Sequence, residues 1–173
     1  MAVLMPRIFL GSLLGLNLGW KGTHLLNDSV MGGNSTGTFA AGKSLLWHSH
    51  LIPENGGFAS IRCPLSGMEE ETSAFVFETT GGGGATFEFR AHTIAAGEIA
   101  YYSTFQTYMA DAADVKQQVT IRLCDMIPRR RGRIVLDAPP LVARDVDEVG
   151  FMITKAGGQR GDYSLNIKWV GAI

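Results

Sequence analysis

His48 and His50, separated by one residue, are the first side chains in this sequence whose types and spacing suggest chemistry. On a strand both imidazoles would point to one face, a spacing compatible with a transition-metal site, but two ligands do not close one. A third would have to come from His24, His92 or a distant carboxylate, so the plain reading is a pair of surface histidines. Cys63 follows Arg62, a neighbour that favours the thiolate, yet no partner base is identifiable near it. Glu69-Glu70-Glu71 reads as a solvated loop. Gly81-Gly82-Gly83-Gly84 lacks the Lys-Ser/Thr that would make a phosphate loop, which leaves a flexible hairpin connection. These residues assemble no catalytic constellation, so no catalytic residue, no metal and no cofactor are expected.

Composition narrows the partners. With a formal net charge of −1 over 173 residues, no global field favours nucleic acid or an acidic membrane. Arg129, Arg130, Arg131 and Arg133 are the local exception; without interleaved aromatics for base stacking they read as a solvated loop or a protein contact. Cys63 and Cys124 form no disulfide framework and read as small buried apolar side chains. A chain of this length buries a core of its own.

Behind these residues stand short elements suited to sheets. Residues 44–51, 57–62, 75–77, 86–90, 119–123, 149–153 and 163–169 are apolar or alternate with period two, separated by Gly, Pro, Asn and Asp. The run Val149-Gly150-Phe151-Met152-Ile153 is apolar throughout, so both its faces are expected to be covered. Helix is expected only briefly, near residues 109–114 or 142–147. The pattern predicts an all-β jelly-roll β-sandwich over residues 22–173.

Residues 1–21 differ. No charge separates Arg7 from Lys21, the apolar stretch is too short to span a bilayer, and Gly11, Gly15 and Gly19 recur every four residues. On a helix those glycines would make a smooth face of the kind that lets membrane helices pack closely. Three readings stand: a buried part of the domain, a docking element for a membrane complex (Phe9, Gly11, Gly15, Gly19 and Trp20), or a signal remnant.

The segment Asn27-Asp28-Ser29-Val30-Met31-Gly32-Gly33-Asn34-Ser35-Thr36-Gly37 is dense in side chains that hydrogen-bond their own backbone and in glycines. It resembles the N-D-x-V-M-G-G-x-S signature of the complex I intermediate-associated protein 30 family. Asn55-Gly56-Gly57-Phe58-Ala59-Ser60-Ile61-Arg62 is similar to that family's N-G-G-F-A-S-x-R, and Phe105-Gln106-Thr107 and Arg131-Gly132-Arg133 to its F-x-T and R-G-R elements. The likeness runs from about Asn27 to the C-terminus. It departs at residues 81–87, where the family's G-D-G-x-x-Y loses its Asp and Tyr, at Lys116-Gln117, where a tryptophan is usual, and at Gly161-Asp162-Tyr163 in place of G-P-F.

The resemblance implies a galactose-binding-like jelly roll. It implies a non-catalytic assembly factor or accessory subunit of a large energy-converting membrane complex: respiratory complex I at the mitochondrial inner membrane, or a photosynthetic complex such as a photosystem at the chloroplast thylakoid. The expected partners are subunits of that complex, with membrane association and no nucleic acid. Within the signatures, Asp28 and Arg62 are expected to form a salt bridge that ties the two loops, in preference to the alternative of a ligand contact, with Met31 and Phe58 packed beneath them. The alternative function is a carbohydrate-binding module with an aromatic platform from Trp47, Trp169, Tyr101 and Tyr102.

Overall fold

The computed structural model describes residues 20–94, 97, 99–109 and 114–173. Among these residues twelve strands build two antiparallel sheets packed face to face. In chain order they are β1 (His24–Leu25), β2 (Thr36–Ala41), β3 (Leu45–Leu51), β4 (Phe58–Pro64), β5 (Ala74–Gly81), β6 (Thr86–Thr93), β7 (Ala100–Gln106), β8 (Gln117–Arg122), β9 (Ile127–Arg130), β10 (Arg133–Ile134), β11 (Val146–Thr154) and β12 (Gly161–Ala172). The seven-stranded sheet runs β1-β4-β11-β6-β7-β9-β10, and the five-stranded sheet β2-β3-β12-β5-β8. The all-β sandwich expected from the periodicity is the architecture observed.

Alternating residues put one face of each strand inward. Phe75 and Phe77 of β5 meet Phe87 and Phe89 of β6, Phe105 of β7 and Phe151 of β11 across the interior. Phe77 stacks on Phe89 at 5.0 Å between ring centroids and stands edge-on to Phe151 at 5.2 Å. Each buried Phe contributes about 1.5–3 kcal/mol by leaving water, and each aromatic pair about 0.5–1.5 kcal/mol more. This cluster locks the two sheets together. Trp20 and Trp47 lie in the same core.

The β11 run is covered on both faces, as its sequence requires. Val149, Phe151 and Ile153 face the core, while Met152 on the outer face is buried and its Sδ accepts from Arg90 Nη1 at 3.3 Å. Residues 143–145 form the brief 3-10 turn expected near there; the other helical expectation, at residues 109–114, falls mostly outside the described residues.

One connection differs from expectation. Residues 81–84 join β5 in one sheet to β6 in the other, so they are a crossover, not a hairpin. All four have positive φ (84°, 89°, 62° and 80°), a path closed to residues with a Cβ except at a cost in strain. The basic run does form a hairpin: β9 and β10 pair through the two-residue turn Arg131-Gly132, both with positive φ, at the edge of the larger sheet.

Candidate interaction site

The two signature segments meet on a single carboxylate. A 3-10 turn over Asp28–Met31 carries Asp28 inward until it is 0 % exposed. Its Oδ1 accepts from the Ser35 backbone N–H at 2.8 Å; its Oδ2 accepts from Ser35 Oγ at 2.7 Å, Gly57 N–H at 2.6 Å and Phe58 N–H at 3.3 Å. Burial raises its pKa, but these donors outweigh that and hold the carboxyl below the usual range. The Ser35 hydroxyl also bridges to the Ile52 backbone, and Asn27 Oδ1 accepts from the Ser60 N–H at 3.4 Å.

Two of the glycines follow from the same carboxylate. A Cβ on Gly33 would stand 2.5 Å from Asp28 Oδ1, and one on Gly56 would stand 2.6 Å from Oδ2, so the backbone closes around Asp28 only where no side chain intervenes. The signatures are thus joints of the sandwich, but Arg62 takes no part in them. It pairs with Glu148 instead, Nη1 to Oε1 at 3.1 Å, because strand register places it beside β11 on the outer face of the larger sheet. The expected Asp28–Arg62 bridge is replaced by a carboxylate satisfied almost wholly by backbone N–H groups.

Met31 also departs from expectation. It is 73 % exposed and Val30 66 %, because the turn that buries Asp28 swings the next residues outward; Phe58 is half-buried. Trp20, expected as part of a docking element, is buried in the domain core. Phe9, Gly11, Gly15 and Gly19 lie outside the described residues.

A second grouping occupies the outer face of the seven-stranded sheet. Arg62, Gly150, Arg90 and Tyr102 sit in register across β4, β11, β6 and β7. Glu148 binds Arg62 and lies 3.6 Å from His24 Nε2; Glu88 accepts from Arg129 Nη1 at 3.1 Å and lies 3.9 Å from Arg90 Nε. Arg129 also donates to the Tyr102 hydroxyl and lies over its ring, 3.9 Å from the centroid. Burial, then the charges of Arg62 and Arg90, push the His92 pKa down to about 3. The alternation in residues 86–90 signals a shared face for Glu88 and Arg90, but the strand pairing that gathers Glu148 and Arg129 beside them has no mark in the sequence.

The remaining candidates are separate. His48 and His50 are exposed on the smaller sheet beside Asp162, with His50 Nδ1 2.7 Å from Asp162 Oδ1. Among the described residues no group of three or more His, Cys, Asp or Glu is arranged to hold a metal. Cys63 is buried, receives a 3.3 Å hydrogen bond from Thr23 Oγ1, and has its pKa raised chiefly by burial, contrary to an activated thiolate. Cys124, expected to be buried, is exposed, at a groove of about 690 Å³ flanked by Leu123, Met126 and Pro139. Of the expected aromatic platform, Trp47 and Tyr101 are buried in the core, Tyr102 is covered by Arg129, and Trp169 is half-buried on the other sheet.

Solved structures share this fold. A family 11 carbohydrate-binding module from Clostridium thermocellum, in complex with a β-1,3-1,4-mixed-linked tetrasaccharide, superposes with a TM-score of 0.58 at 12 % identity, covering 88 % of this chain and 87 % of that one. The family 11 module of a cellulosomal cellulase of Clostridium thermocellum gives 0.58 at 12 % identity, covering 93 % and 92 %. An agarase gives 0.56 at 7 % identity over 87 % of this chain and 24 % of its own. At such identities the likeness is one of fold. No curated protein matches the sequence. The family profile of the complex I intermediate-associated protein 30 matches residues 19–167, a span that contains the Asp28 joint and every strand except the end of β12, and the chain belongs to that family.

Proposed function

We propose that this chain is a non-catalytic protein-interaction domain serving respiratory complex I at the mitochondrial inner membrane, as an assembly factor or accessory subunit. Family membership supports complex I as the complex served. The observation that carries the reading is the exposure of Val30 and Met31. Asp28, Gly33 and Ser35 of the first signature, and Gly56 and Gly57 of the second, are used by the fold, whereas these two large apolar side chains of the same signature have no internal role. Apolar side chains held out by a rigid turn suit the buried centre of a protein interface.

Among the described residues no helix is long and apolar enough to cross a membrane. The proposed membrane association is through subunits of the complex. The carbohydrate-binding alternative gains nothing from the geometry, since none of its platform residues among the described ones offers a free aromatic face on a common surface. The photosynthetic alternative draws no support from the comparisons. Depleting the protein should lower mature complex I and accumulate partial assemblies on native gels, with the protein co-migrating with one of them. Normal levels of complex I after depletion, with the protein migrating alone, would overturn the proposal.

A further inference from the structure

The charges on the outer face of the seven-stranded sheet do not balance. Arg62 is matched by Glu148, and Arg129 by Glu88, each pair at 3.1 Å. Arg90 has no carboxylate of its own and shares Glu88 with Arg129, so three arginines face two carboxylates among the described residues. The Arg90 side chain is only 13 % exposed, its Nε hydrogen-bonds to nothing, and its Nη1 is turned to a thioether sulfur, a weak acceptor. Among the described residues the sole carboxylate oxygen in ion-pair reach of it, Glu88 Oε2, stands 3.9 Å away and is itself buried without a hydrogen bond.

Arg129 Nε and His92 Nε2 are likewise buried without partners, so four of the seven such atoms among the described residues share this one face. Native interiors keep few polar groups unpaired, and a concentration of them marks a place where a partner group is missing. The excess is positive: burial, then Arg62 and Arg90, depress the His92 pKa, and at Arg90 burial lowers the pKa, Glu88 opposes it, and Arg62 and Arg129 add to the lowering. A neutral His92 keeps one ring nitrogen as a donor and one as an acceptor.

We propose that the Arg90 guanidinium, with Arg129 and His92 beside it, is a binding site for a small oxyanion, a phosphate or carboxylate group. Planar guanidinium groups in a poorly hydrated setting match such anions in geometry and charge. Catalysis is not required of the site, and its ligand is independent of the protein partner inferred above.

The test uses the full chain, isotope-labelled so that the arginine Nε–H signals are resolved. It is titrated with sodium phosphate and, separately, sodium acetate, each against sodium chloride at equal ionic strength. The expected result is a saturable shift of the Arg90 Nε–H signal and a rise in thermal midpoint with at least one oxyanion, because a ligand bound only to the native state stabilises it. A response to phosphate alone assigns a phosphate ligand, and one to acetate alone a carboxylate. Arg90→Met should abolish both effects while leaving the anion-free midpoint equal to or above that of wild type, since Glu88 keeps Arg129 and an apolar chain replaces a buried charge with no counter-ion of its own. Arg90→Lys should weaken binding at least about tenfold, because an ammonium lacks the planar fork. No saturable shift with either anion, unchanged binding in Arg90→Met, or an Arg90→Met chain that fails to fold would each overturn the proposal.

Discussion

Replacing Asp28 by Asn changes almost no volume, so its effect isolates what the carboxylate does for the joint. Oδ2 accepts three hydrogen bonds and Oδ1 one, and all four partners point hydrogen inward. In the best orientation the amide oxygen of Asn takes the Oδ2 place, and its NH₂ then faces the Ser35 N–H, donor against donor. That leaves a buried N–H unsatisfied, at about 1–3 kcal/mol, and weakens the remaining bonds by removing the charge, so a total of roughly 3 kcal/mol is expected. For a domain of this size that lowers the thermal midpoint by about 6–12 °C. The comparison is made by calorimetry near neutral pH and again in acid. The Asp28 carboxyl has a depressed folded pKa, so its contribution is present above the ordinary carboxylate pKa and is lost as pH falls through the folded value; the gap between the two proteins should close there. Gly33→Ala should destabilise as well, since its Cβ would press on the same carboxylate. An Asp28→Asn protein whose midpoint stays within about 2 °C of wild type would refute the reasoning.

Two further outcomes follow from the geometry. His92 stays neutral in the folded protein down to about pH 3 and takes up its proton near 6.5 when unfolded, so stability should fall as pH drops from 6.5 toward 3, by at most about 1.4 kcal/mol per pH unit. His92→Gln should flatten the denaturant midpoint across that window, and an equally steep fall in the variant would contradict the assignment. Cys124 should react with a maleimide in the native protein and Cys63 only after unfolding, read by mass spectrometry; native labelling of Cys63 would contradict its burial.

The fold was legible because each strand carries its own period-two signal, as in residues 57–62 and 163–169, and because glycine and polar turns separate the strands. The joint was legible in part. The sequence marked both signature segments, but it carries no sign of which partner Asp28 meets, and the arginine in the second signature was the natural guess. Backbone N–H groups leave no residue-type signal, so a carboxylate satisfied by Gly57 and Phe58 backbone looks in sequence like one waiting for a cation. The outward turn of Val30 and Met31 was hidden for a related reason: burying Asp28 in a 3-10 turn fixes the direction of its neighbours, and apolar type alone argues for the core. The charged face depends on the register of five strands brought from distant parts of the chain, and no local pattern encodes register between strands that are not joined by a tight turn.

The most direct test of the interaction role compares two tagged full-length proteins, wild type and Val30→Ser/Met31→Ser, purified from membranes and probed for complex I subunits. Both side chains project into solvent, so the double variant should match wild type in thermal midpoint while losing most of the co-purifying subunits. Equal recovery of those subunits by the two proteins, at equal stability, would contradict the account.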